Sequence, residues 1–176
     1  MTKIELAAAI VLYDDRVLIV RRSKRETFLP LRWGVPCGKI DTGRGEGAQT
    51  AVLRELEEET GLSGTNAVPV GQLEFESMWR GERALNVQHN FLVDLVAGFR
   101  LNLARRPKVK VPRQDQRARW VRIDRIESVG LDEHNLKAIQ QGLAGLPGSL
   151  AGQLAHQGRQ LPPIAISAHL PGRNGS

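Results

Sequence analysis

The sequence predicts an α+β fold over residues 1–144 and a loosely ordered tail over 145–176. Three observations carry this expectation. Short apolar runs bounded by turn residues recur along the chain, which is the pattern of strands. Two segments, near 46–60 and 131–143, repeat apolar residues at helical spacing. From about Gly145 onward the chain is rich in Gly, Pro, Ser and Gln and contains no acid, a composition that builds no core.

Taken in order, Ile4 to Tyr13 is an apolar run that reads as a buried strand. Asp14-Asp15 supply a turn, and Val17 to Arg22 return as the second strand of a hairpin. Ser23 to Arg32 is polar and irregular. Trp33-Gly34-Val35-Pro36 is extended, and Pro36 restricts it to a strand end or edge. A glycine-containing loop leads into a helix from Glu46 to Thr60, with Ala48, Val52 and Leu56 facing inward, Leu53 beside them and Gly61 as its stop. Strands follow at Ala67 to Met78 and Leu85 to Val96, around a turn at Arg80-Gly81-Glu82. Arg117 to Ile123 is a further strand. Leu131 to Leu143 forms an amphipathic helix through Leu136, Ile139 and Leu143, with Asp132 as its N-cap. No internal repeat is present, and the apolar piece from Leu161 to Leu170 reads as part of the tail rather than as a docked element.

Composition narrows the function classes. A chain of 176 residues suits one domain with an adequate core. The single cysteine, Cys37, rules out an internal disulfide and accords with a reducing compartment. No apolar run is long enough to span a bilayer. Lys3-Ile4-Glu5-Leu6 carries an acid and reads as a strand rather than a signal peptide, so the expected location is cytoplasmic. Net charge is +6. Much of the excess lies between Arg100 and Arg125, where only Asp115 and Asp124 oppose a run of Arg and Lys. Such a run attracts polyanions, and equally it serves as a solvated loop. Trp120 is its only aromatic, which argues against a single-strand stacking platform.

The chemistry lies in residues 38–62, GKIDTGRGEGAQTAVLRELEEETGL. Positions i, i+3 and i+4 put Glu55, Glu58 and Glu59 on one helical face. Three adjacent carboxylates repel one another unless a cation neutralises them. Their oxygens suit a hard ion such as Mg²⁺, which keeps some waters and bridges to substrate phosphates. A solvated acidic helix with Arg54–Glu58 pairing also accounts for the acids. It leaves Glu46, the glycine loop and the Gly61 stop without a reason.

This segment resembles the Nudix box, G-x5-E-x7-R-E-U-x-E-E-x-G-U with U apolar. Glu46, Arg54, Glu55, Leu56, Glu58, Glu59, Gly61 and Leu62 fall on the fixed positions. The departure is upstream. Seven residues separate Gly38 from Glu46 where the pattern has five, and the extra pair is placed near Arg44-Gly45. The family's frequent Gly pair before the Lys is Cys37-Gly38 here, ahead of Lys39.

The resemblance implies an α/β/α sandwich, a mixed sheet between helices. It implies a Mg²⁺-dependent pyrophosphohydrolase, with Mn²⁺ as a substitute, acting on a nucleoside diphosphate joined to some other group. By position, Glu58 and Glu59 correspond to central metal ligands, and Glu55 to a further ligand or the general base. Arg54 and Glu46 correspond to the pair that orients them. The backbone carbonyl of Cys37 or Gly38 would complete the metal shell, leaving the Cys37 thiol incidental, since no His is placed to activate it. Lys39 and Arg21 are the candidate phosphate contacts, Arg21 because one of Arg21 and Arg22 must face the site. Trp33 is assigned to the core, and His89 to structure. Asp115 and Asp94 stand as candidates for an additional late acid, with no motif to fix either.

The substrate is open. The strand before the box resembles compact members acting on nucleoside triphosphates, oxidised purine forms included. ADP-ribose, nucleotide sugars, dinucleoside polyphosphates and RNA 5′ ends stand beside them, the basic segment favouring the longer polyphosphates. The competing class is a non-enzymatic Nudix-fold nucleotide sensor or nucleic-acid-binding regulator. Retention of all three box carboxylates favours the enzyme. Dimerisation through the tail or basic loop is left open.

Overall fold

The computed structural model describes residues 2–26, 29–95, 109 and 116–146. Strand β1 (Thr2–Ile10) lies between β5 (Cys37–Lys39) and β7 (Glu82–Leu95), and β6 (Gly64–Trp79) closes the sheet beyond β7. β1 and β7 run parallel, with Leu6 opposite Gln88 and Ala8 opposite Asn90, while the other pairs are antiparallel. The sheet is therefore mixed, as expected. Central position explains the composition of β1. Ala7, Ala8, Ala9 and Ile10 are buried, so both faces must be apolar and small residues allow helices to approach.

A second sheet orders β2 (Leu12–Tyr13), β3 (Arg16–Arg21) and β4 (Trp33–Gly34), with β8 (Arg117–Arg122) on the other side of β3. The run from Ile4 to Tyr13 is thus not one strand of a hairpin. It breaks at Val11, whose carbonyl accepts the Leu18 N–H, and only Leu12–Tyr13 pair with β3. Apolarity alone does not reveal that a continuous run changes sheets.

Helix α1 (Ala48–Thr60) packs against one core cluster, built from Ala7, Ala9, Leu18, Val52, Leu56, Phe91 and Val93 among others. Its fully covered residues are Ala51, Val52, Leu56 and Thr60, so Ala51 takes the inward place assigned to Ala48. The helix starts at Ala48 rather than Glu46, because Glu46 is drawn back into the preceding loop. Gly61 ends it at φ 68°, a left-handed conformation that suits glycine at a C-cap. Helix α2 (Glu133–Ala144) covers the opposite face, with Ile10, Ile19, Val35, Ala138 and Ile139 in its cluster. Asp132 is its N-cap residue, although its side chain makes no capping bond. Helices on both faces of a mixed sheet make the predicted sandwich. β6 and β7 meet at Arg80-Gly81, both at positive φ, as a tight hairpin turn requires. Residues 145 and 146 continue onto the core, Leu146 packing against the α2 cluster. The tail from 147 and the basic run from 100 to 113, Val109 apart, lie outside the described residues, as does Asp115.

Candidate active site

The site is assembled where β5 runs into the loop before α1. Three residues of strand pair with β1 and fix the backbone, with Gly38 opposite Ala7. Alternation turns Gly38 toward α1, and Cys37 and Lys39 toward the other face. A Cβ at Gly38 would overlap the Glu55 carboxyl, so only glycine lets this strand approach the helix.

The two-residue lengthening is absorbed locally. Thr42–Arg44 form a single 3₁₀ turn, and Gly45 closes it at φ 72° with its N–H donating to the Thr42 carbonyl at 3.1 Å. Glu46 then returns to Asp41, whose N–H donates to Glu46 Oε2 at 2.8 Å.

Arg54 organises the carboxylates. Its Nε and Nη2 donate to the two oxygens of Glu46 at 2.7 and 2.9 Å, a fork on a carboxylate. Its Nη1 reaches Glu55 Oε1 at 2.6 Å and Glu58 Oε2 at 3.3 Å. Nη2 also donates to the Lys39 carbonyl at 3.0 Å, tying α1 to the end of β5. These groups, with Asp41, Arg44 and Lys39, line an open cleft of about 430 Å³. Glu59 turns inward and accepts the Cys37 N–H at 3.0 Å.

Electrostatics separates the acids. Paired with Arg54 and the Asp41 N–H, Glu46 is held down at about 2. Burial pushes Glu55 above the ordinary carboxylate range despite Arg54. Burial also raises Glu59 to about 8, with the Arg22 charge opposing. In both, the cost of desolvating the charged form outweighs the stabilising pull of the neighbouring arginine. Burial raises the Cys37 thiol to about 12, so a thiolate nucleophile is disfavoured.

Among the described residues no three Asp, Glu, His or Cys groups converge at metal-binding distance. Arg54 and the Cys37 N–H hold the box carboxylates instead. The residues nonetheless fit a hard divalent ion. Every donor is oxygen, two of the carboxylates are desolvated, and the missing Cβ at Gly38 lets the Glu55 carboxyl lie directly against the strand.

The remaining candidates fall in different places. Arg21 donates from Nε to the Leu31 carbonyl, and the arginine whose charge reaches Glu59 and Cys37 is Arg22, the other member of the pair. Lys39 lines the cleft, but its ammonium lies 4.5 Å from the centroid of the Trp79 ring. Trp33 packs at the edge of the α2 cluster beneath the Arg119 guanidinium. His89 pairs with Glu5 at 2.7 Å. Asp94 stands opposite Asn66 at the far end of β7. Trp79 belongs to no motif and only the fold brings it to Lys39, while of the pair Arg21 and Arg22 the sequence offers no way to choose.

A family model described as the NUDIX domain matches residues 3–141. The chain belongs to this family. A Mycobacterium tuberculosis protein named as mutator protein MutT4 is 31% identical to the NUDIX chain over 81 residues. That match covers 46% of this chain and 31% of the relative, so the aligned part spans under a third of the relative's length. A NUDIX hydrolase from Nitrosomonas europaea superposes with a TM-score of 0.60 at 25% identity, covering 82% of this chain and 90% of that one. The NUDIX domain of Shewanella oneidensis NrtR, solved with ADP ribose, superposes at 0.59 with 19% identity, covering 80% and 86%, and shows the shared fold.

Proposed function

We propose that this chain is a Mg²⁺-dependent pyrophosphohydrolase, with Mn²⁺ as a substitute. It cleaves the diphosphate linkage of a nucleoside diphosphate derivative by attack of water. The observation that carries this reading is the array around Arg54, which gathers Glu46, Glu55 and Glu58, with the Glu55 carboxyl lying against the strand at Gly38.

Glu55, Glu58 and Glu59, with the carbonyl of Cys37 or Gly38, would hold the ion. When bound, it offsets diphosphate charge and lowers the pKa of a coordinated water. The chain's own groups do the rest. Arg54 orients Glu55 and Glu58, and Glu46 fixes Arg54 from behind with two bonds. Glu55 serves as ligand or as acceptor of the water proton, screened from solvent on the cleft wall. Lys39 and Arg22, or Arg21 after a side-chain turn, supply positive charge to the phosphates.

The substrate class favoured is a nucleoside triphosphate, oxidised forms included. The relative solved with ADP ribose supports a nucleoside diphosphate derivative as ligand. The basic run keeps an RNA 5′ end within the class. No helix among the described residues is long and apolar enough to cross a membrane, and a single buried thiol suits the cytoplasm.

The test is product formation from a panel of nucleotides with and without Mg²⁺, with Glu59→Gln as control. The panel spans nucleoside triphosphates, ADP-ribose, nucleotide sugars, dinucleoside polyphosphates and triphosphorylated RNA. Metal-dependent cleavage lost in the variant supports the proposal. Tight nucleotide binding without cleavage would favour the sensor reading.

A further inference from the structure

We infer that Trp79 is a specificity-determining residue, whose indole receives the base of the nucleotide while Lys39 turns to its phosphates. The inference rests on the proposed pyrophosphohydrolase reading. It starts from an unusual placement. Lys39 borders a cleft with four acids, Asp41, Glu46, Glu55 and Glu58, yet among the described residues it makes no ion pair. Its ammonium lies over the ring of Trp79 instead, at 4.5 Å.

Topology explains how the two meet. Lys39 is opposite Leu6, which is opposite Gln88, which is opposite Leu73, so these side chains share one sheet face. Alternation along β6 puts Phe75, Ser77 and Trp79 on that same face. Trp79 is the last residue of β6, carried by the Arg80-Gly81 turn. It is only half-buried, packed at the rim of the α2 cluster. The neighbouring strand β7 carries a buried polar stripe, Asn86, Gln88 and Asn90. Asn86 donates to Ser77 Oγ at 2.7 Å, and Gln88 donates to Asn90 Oδ1 at 2.7 Å.

Lys39 thus links two surfaces. Its carbonyl is held by Arg54 at the carboxylate cleft, and its side chain reaches an aromatic ring on the sheet face away from α1. A phosphate is a stronger partner for an ammonium than a half-exposed ring. A diphosphate entering the cleft would draw Lys39 away and free the indole face. An aromatic base is the group on a nucleotide that fits a vacated indole.

The experiment measures binding to the full chain by calorimetry with two probes. One is a nucleoside triphosphate with a methylene bridge in place of the scissile oxygen. The other is inorganic tripolyphosphate, which has no base. Trp79→Leu should weaken the nucleotide about tenfold, within the range for loss of one base–aromatic stack. It should shift tripolyphosphate less than twofold, and Trp79→Phe should recover most of the loss. Lys39→Met should weaken both probes. Equal weakening of both by Trp79→Leu, or no change in either, would overturn the inference, because a ring that merely fills the core does not distinguish them. Binding requires no turnover. A protein that binds nucleotide through Trp79 without cleaving it would sink the hydrolase reading and leave this one standing.

Discussion

Arg54 Nε lies 2.7 Å from Glu46 Oε1, across a seven-residue gap in sequence made of Gly47 and the first six residues of α1. The pair joins the end of the lengthened loop to the helix bearing the acids. Glu46 bonds Arg54 twice and the Asp41 N–H once, so it positions the other acids through Arg54. Glu46→Gln should lower kcat/KM about 10–100-fold, the range for removing a group that orients a ligand. Steady-state kinetics checks this, and a change below threefold would detach Glu46 from the site.

The same pair gives a pH signature. Glu46 is held at about 2, below its ordinary 4.5, so the native state resists protonation there. Its contribution to stability is complete above about pH 4.5 and is lost as pH falls toward 2. Urea midpoints between pH 5 and 2 should therefore fall less steeply in Glu46→Gln than in the wild type.

Glu58→Gln and Glu59→Gln should each reduce turnover by about 10²–10³ under saturating Mg²⁺. The folds should persist. A glutamine oxygen still accepts the Cys37 N–H at position 59, and Glu58 is mostly exposed. Near-normal rates in both folded variants would remove them from the metal set.

Gly38→Ala tests the strand–helix approach. The added methyl overlaps the Glu55 carboxyl, so either the carboxylate or the strand must move. The expected cost is about 1–3 kcal/mol of stability, as for overpacking, together with loss of activity. Denaturation and kinetics on one preparation would show both, and an active variant of wild-type stability would contradict the geometry.

Asn135 should matter to stability although it is no part of the box. It is buried, its Oδ1 accepts the Val35 N–H at 3.0 Å, and a Cβ at Gly34 would lie 2.8 Å from that oxygen. Asn135→Ala leaves a buried N–H without its acceptor, at a cost of about 1–3 kcal/mol. A chemical denaturation midpoint unchanged from wild type would refute this.

The sequence revealed whatever depends on local pattern. Glu55, Glu58 and Glu59 announced themselves by spacing, both helices by apolar periodicity, and the hairpin at Arg80-Gly81 by its turn residues. What it hid depends on contacts distant in the chain. Arg21 and Arg22 look alike in sequence, and only the pairing of β3 with β4 and β8 decides which one reaches Glu59. Lys39 and Trp79 are 40 positions apart and meet only because β5, β1, β7 and β6 lie side by side. The break at Val11 was invisible because a buried strand and a buried crossing between sheets are equally apolar.

The 3₁₀ turn at Thr42–Arg44 also bears on how such chains are found. It takes up two extra residues while leaving Asp41 bonded to Glu46 and Glu46 bonded to Arg54. Both ends of the loop are anchored to the site, and the extra residues lie between the anchors. A search that counts residues between Gly38 and Glu46 rejects this chain at the first step. A search that asks whether an arginine on the helix grips an acid at the loop's far end accepts it.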